Sequence, residues 1–388
     1  MNYRANIVLA LVVSIVMIGC AEENLTSGLD ETPVVENKSV DDVAHSYITG
    51  DYVTPRFLFQ GTQVLAKKGP PSTPGDFTSP LFGLGSAPNG DVLVADAGAG
   101  VANVDGGTEI ALPGVTDIAP IGRSTMWATR AGTNPVMDTG QGLYRLSQGQ
   151  NRLIANLFAF EEANDPDGMG VDSNPFDVES LGGRTALVAD AGANTLLRVD
   201  NQGHIEVVAI FPNEVVSTAN INELAGCPPE NPLCFVPAPA IPAQAVPTSI
   251  AVGPDGAMYV GELKGFPAPT NESNIWRIEP GTSGADCEVS PACTKVFDGG
   301  FTSVIDLAFG PDGRLYISEL DEASWAAVEI FGIVTGGTVN ACDLDTLVCE
   351  EVATGVPIHT AIAFDGVGTL WAIRNALIPG SAEVVANP

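Results

Sequence analysis

Beyond roughly residue 80 the apolar positions fall in short, strand-length runs, separated by Gly, Pro, Asn and Asp, and no sustained helical period appears. Two stretches are near copies, Ile250–Glu262 and Leu307–Glu319: an apolar strand, a Pro-Asp-Gly turn, and a second apolar strand. Glycine in that turn supplies the positive φ that a tight hairpin needs. The unit recurs more loosely at Leu84–Asp96 (turn Pro88-Asn89-Gly90), Ile118–Arg130, Val178–Asp190 (Gly182-Gly183) and Ile362–Arg374 (Gly366, Gly368). Thr195–Ala209 continues one unit into an outer hairpin through Asn201-Gln202-Gly203. Six such units predict an all-β fold, a six-bladed β-propeller of the TolB-like or NHL-like kind.

An open sheet this long would expose a paired-strand edge, whereas a ring leaves only short ones. Closure is therefore expected. The last unit, from His359 onward, has one further strand near Ala382–Ala386 and lacks a partner, which the isolated apolar segment Phe57–Leu65 is expected to supply.

The N-terminus changes the cellular picture. One positive charge precedes an apolar run from Ile7 to Ile18, interrupted only by Ser14 and ending in Gly19-Cys20. That run is short for a membrane-spanning helix and reads as an export signal over residues 1–19. Val16-Met17-Ile18-Gly19-Cys20 resembles the bacterial lipobox, so lipidation at Cys20 is expected, with residues 20–50 as a flexible tether and 51–388 as the propeller. The expected location is the periplasm or cell surface, outer membrane favoured, with membrane contact through the lipid alone. The six remaining cysteines form close pairs, Cys227/Cys234, Cys287/Cys293 and Cys342/Cys349, and an oxidising compartment makes three local disulfides the expectation. With 47 acidic against 16 basic residues and a net charge of −31, nucleic acid is excluded as a partner. A soluble monomeric domain is expected from that self-repelling surface.

Val171–Phe176, Leu187–Asp200, Ala245–Gly256 and Val260–Pro267 resemble segments of the ScyD/ScyE family, across roughly Pro80 to Trp371. The resemblance implies an exported six-bladed propeller related to NHL-repeat and gluconolactonase-like proteins. In the latter, channel carboxylates and asparagines around a metal hydrolyse lactones.

Alignment of the units puts a charged residue at the end of every second strand: Asp96, Arg130, Asp190, Glu262, Glu319 and Arg374. Equivalent blade positions share one radius and one face, so these are expected to ring a channel mouth. The arginines either neutralise the acids and knit blades together, or leave a residual negative charge for calcium, with Asp190, Glu262 and Glu319 as ligands, or contact a polar ligand. A second layer one step earlier on the inner strands offers Asp117, Asp177 and Asp306, with Asn174 and His359 nearby. Asn164–Asp172 is acid-rich and glycine-rich like a calcium loop but lacks the closing glutamate of an EF-hand. The chain has no Gly-x-Ser-x-Gly elbow and no His-Glu-x-x-His motif. Two functions stay open: an anchored binding module for a small polar molecule or protein partner at the propeller face, and a metal-dependent hydrolase or lyase acting in the channel.

Overall fold

The computed structural model describes residues 72–388, apart from 89, 105–106, 123–124 and 228–233. The expected signal, Cys20, the tether and Phe57–Leu65 lie outside the described residues. Six antiparallel sheets follow one another along the chain. Their inner strands are Leu81–Ser86, Val115–Pro120, Pro175–Ser180, Pro247–Val252, Val304–Phe309 and Ile362–Phe364, numbered here as blades 1 to 6. Each inner strand packs against that of the next blade, and the sixth packs against the first, which closes the ring. Blades 1, 2, 4 and 5 have four strands, and among the described residues blade 6 has three. Ser72, just before blade 1, lies against the outer strand of blade 6: its hydroxyl accepts from Val384 N at 2.6 Å and donates to Val384 O at 3.0 Å.

The repeated turn explains the regularity. Gly256 and Gly313 take φ of 78° and 82°, as the hairpins require. The preceding aspartates lock each turn to the second strand: Asp255 accepts from the Tyr259 hydroxyl at 3.3 Å, and Asp312 from that of Tyr316 at 3.2 Å. The rings of those tyrosines then meet Phe309 and Phe364 of the following blades at 5.3 and 4.8 Å between centroids, so one motif serves both the turn and the packing between blades.

All three cysteine pairs are bridged: Cys227–Cys234, Cys287–Cys293 and Cys342–Cys349. The segment leading to the second bridge does something the pattern did not foretell. Ala285–Asp286 of blade 4 pairs in parallel with Ile205–Ile210, adding a fifth strand to blade 3.

The two faces of the ring differ. One carries the tight turns between first and second strands. The other carries the long connections, including helices α1 (Leu157–Asn164), α2 (Ala219–Leu224) and α3 (Trp325–Glu329) and the two-stranded ribbon Glu214–Ser217 with Ala240–Ala243. On this loop face a single apolar cluster joins Phe82, Phe176 and Ile305 of the inner strands to Ile221, Val236 and Ile241 of the insertion and to Trp325 of α3. No helix among the described residues is long and apolar enough to cross a membrane.

Candidate functional site

The inner strands share an irregularity. Register shifts occur between Val115 and Asp117, Val304 and Asp306, Pro247 and Ser249, and Leu81 and Gly83, and between Ala189 and Asp190 on the strand facing blade 3's inner strand. A β-bulge of this kind re-aims the side chain that follows it. Three of the residues so placed are acids: Asp117, Asp177 and Asp306.

Each reaches across a blade boundary to a backbone amide. Asp117 Oδ2 accepts from Val178 N at 3.1 Å, Asp177 Oδ2 from Ile250 N, and Asp306 Oδ2 from Ile362 N at 2.7 Å. Threonines supply matching links: the hydroxyls of Thr116, Thr248 and Thr360 donate to Pro175 O, Val304 O and Leu81 O of the next blade. Between blades 1 and 2 the equivalent position is Gly83, and it must be glycine, since a Cβ there would fall 2.0 Å from Asp117 Oδ1.

Along the axis lies a cavity of about 340 Å³, walled by all six inner strands from the level of these acids to the hairpin face. Phe82, Phe176 and Ile305, one step nearer the loop face, belong to the apolar cluster and take no part in the wall. The cavity is therefore a blind pocket, closed on the loop side. Its wall carries four carboxyl groups, Asp117, Asp177, Glu179 and Asp306, and no Lys, Arg or His.

Electrostatics follow from that imbalance. Burial, then the nearby charges of Asp177 and Asp306, holds Asp117 well above the usual carboxylate range. Burial and Asp177 do the same to Asp306. Asp177 is raised less, because Asp117 hydrogen-bonds to its carboxylate. Glu179 is pushed up to about 8, first by burial and then by Asp177. Glu179 was missed by aligning the units at single positions. Its signal was nonetheless present, since it stands two residues after Asp177 on a strand, and alternation returns it to the same side.

The six charged residues at the ends of the second strands each have partners of their own, and among the described residues Arg130 and Arg374 form no ion pair with an acid of that set. None of Asp96, Arg130, Asp190, Glu262, Glu319 and Arg374 borders the pocket. They stand one strand away from the axis, and local donors capture them. Asp96 accepts from Thr78 N, Ser79 N and Gly98 N. Asp190 accepts from the Ser173 hydroxyl at 2.7 Å and from Asn174 N, Gly192 N and Ala193 N. Glu319 accepts from Thr302 N and Asn340 Nδ2. Arg130 donates to the carbonyls of Pro113 and Thr139, and Arg374 pairs with Glu383 at 2.6 Å. Glu262 is fully buried against Lys264 Nζ (2.7 Å), Asn274 Nδ2 (2.8 Å) and Trp276 Nε1 (2.6 Å), and Glu214 holds the same ammonium at 2.6 Å. Asp190, Glu262 and Glu319 therefore remain on separate blades as fastenings of the loop face.

Asn174 and His359 also stand outside the pocket wall. His359 is fully buried, its Nδ1 3.1 Å from the Ser318 hydroxyl, and burial depresses it to about 4, so the ring is neutral at pH 7. A gluconolactonase-like metal centre needs ligands converging on one point. Among the described residues the one group of three acidic, His or Cys side chains with ligand atoms within 4.8 Å of one another is Glu161, Asp165 and Asp167, away from the channel. Asp117, Asp177 and Asp306, each tied by one oxygen to a different blade boundary, do not form such a group.

No family model and no curated protein matches the chain. Among solved structures, virginiamycin B lyase from Staphylococcus aureus is 15% identical, with 77% of this chain and 79% of that chain covered and a TM-score of 0.45. A putative oxidoreductase (glucose dehydrogenase) from Thermus thermophilus is 16% identical, covering 84% and 99%, with a TM-score of 0.45. A nidogen/laminin complex chain is 10% identical, covering 76% and 84%, with a TM-score of 0.41. Similarity at this level concerns the fold alone. The propeller itself rests on the sheet order and the closed ring of inner strands.

Proposed function

We propose that this protein is an exported, lipid-anchored binding propeller of the ScyD/ScyE kind, acting as a monomer, and that it holds a small amine-bearing molecule in the blind axial pocket. The observation that carries the reading is the pocket wall, with four carboxyl groups and no basic side chain. At about 340 Å³ it lies at the small end of the roughly 300–1,000 Å³ common for ligand sites. An ammonium offers three donors that can spread over carboxylates on different blades, which suits acids that face a common space without converging. Glu179, pushed up to about 8, holds a proton at pH 7 before a cation binds; a bound cation would ionise it, so binding releases a proton and tightens as pH rises towards 8.

Calorimetry of a short aliphatic diamine, in buffers of different ionisation enthalpy, tests this. Expected are proton release on binding and at least about tenfold weaker binding for Asp306→Asn or Glu179→Gln, each loss of a charge-assisted contact being worth about 1.5–3 kcal/mol. Equal binding of an uncharged diol of the same length would overturn the reading.

A further inference from the structure

Helix α1 ends in an acidic corner that the channel does not use. Asn156 starts the helix, its side chain accepting from Ala159 N at 2.9 Å, and no basic residue occupies the last turn. Asp165 is the left-handed residue that closes the helix, its N–H donating to Glu161 O at 2.8 Å, and this turn brings its carboxylate near that of Glu161. Asp167 follows in the loop, and the carboxylate oxygens of all three lie within 4.8 Å of one another.

Two further observations point to something bound between them. Glu161 is only 1% exposed, and its Oε1 has no hydrogen-bond partner. That is costly in either protonation state: an ionised oxygen lacks a counter-charge, and a protonated one lacks an acceptor. The other two acids are held in place by neutral amides. Asp165 Oδ1 accepts from Gly170 N at 3.1 Å, Asp167 Oδ1 from Met169 N at 2.9 Å, and Asp167 Oδ2 from Asn194 Nδ2 at 2.8 Å. These contacts orient the carboxylates and leave their charge uncompensated. The consequence is visible in their proton affinity, with Glu161 pushed up to about 9 by burial and then by Asp190, Asp167, Asp165 and Asp172, and Asp167 to about 6, chiefly by burial.

We infer that Glu161, Asp165 and Asp167 form a divalent-cation site, calcium by its donor set, that clamps α1 and the loop after it onto blade 3. All the donors are hard oxygens on a short flexible loop, which favours calcium over magnesium, an ion that demands stricter octahedral geometry and gives up water reluctantly. The glutamate that the loop 164–172 lacks at its end, compared with an EF-hand, comes here from the helix before it. One amide extends the clamp: Asn194, which donates to Asp167, also accepts from Val246 N at 3.0 Å, immediately before the inner strand of blade 4. The cation would thus couple the connection between blades 2 and 3 to the start of blade 4. None of these residues borders the axial pocket, so this site and the amine reading stand or fall separately.

The test uses the full chain after chelation, titrated with calcium and followed by calorimetry and thermal melting. The parent should bind calcium and melt at a higher temperature in its presence. Asp165→Asn keeps the left-handed cap and an acceptor for Gly170 yet removes a charge; it should weaken calcium binding by at least about tenfold, as should Glu161→Gln. In chelator Asp165→Asn should melt no lower than the parent, because a negative charge is removed from the acidic corner. The channel variant Asp306→Asn should keep the full calcium response. If Glu161→Gln fails to fold, the partly exposed Asp165 decides alone. No calcium-dependent shift in the parent, or an undiminished one in Asp165→Asn, would overturn the proposal.

Discussion

Asp190 and Asp177 belong to neighbouring strands of blade 3, and both are almost completely buried. Asp190 closes the second strand beside the chain entering the blade, where the Ser173 hydroxyl and three backbone amides converge on its two oxygens. Asp177 follows the bulge on the inner strand, ties one oxygen to Ile250 N across the blade boundary, and meets other acids on the pocket wall. Burial is common to both, but donor supply is not. A buried carboxylate surrounded by local donors works as a fastening, whereas one that shares its space with further carboxyls is free to answer to a ligand. The same contrast separates Asp96, Glu262 and Glu319 from Asp117, Glu179 and Asp306.

The contrast is sharpest if fastenings break and wall residues do not. Asp190→Ala strands the Ser173, Asn174 and Gly192 donors in the interior and should cost about 3 kcal/mol or more in denaturant unfolding. Asp306→Asn retains an acceptor for Ile362 N and should change stability far less; equal losses in the two would erase the distinction. Glu262→Gln leaves Lys264, which is fully buried, with Glu214 as its single carboxylate, and a loss of about 2 kcal/mol is expected.

A smaller effect should appear in pH dependence, measured in chelator. A carboxyl whose pKa is higher folded than unfolded keeps a proton that unfolding releases, so stability falls as pH rises through the interval between the two values. Glu179 and Glu329, both raised to about 8 and chiefly by burial, therefore predict a melting temperature that declines from about pH 6.5 to 8, each group contributing on the order of 1 kcal/mol. His359 acts oppositely, being depressed to about 4, but its contribution is complete above the free-histidine value of about 6.5 and does not enter that interval. Glu179→Gln should flatten the decline, and a profile that rises across the same range would contradict the assignment of the wall. Least affected should be Arg374→Ala, which removes a half-exposed pair with Glu383 worth under about 1 kcal/mol.

Much of this molecule is legible in its repeats. The six strand-turn-strand units, the glycines of their turns and the three close cysteine pairs all depend on neighbours within about a dozen residues, and local spacing states them directly.

What position in the unit could not convey is which layer the axis would meet. That depended on a bulge that turns Asp117, Asp177 and Asp306 inward, on backbone amides of the adjoining loops that capture Asp96 and Asp190, and on an insertion whose Ile221 and Val236 join the apolar seal over one end of the channel. The buried Lys264, held between Glu262 and Glu214 some fifty residues apart, is of the same kind. Periodicity along a chain determines which strands exist and where they turn. Direction of a side chain within the ring, and whether charge or amide waits for it there, is set by contacts between segments far apart in sequence, and only the closed tertiary structure supplies those.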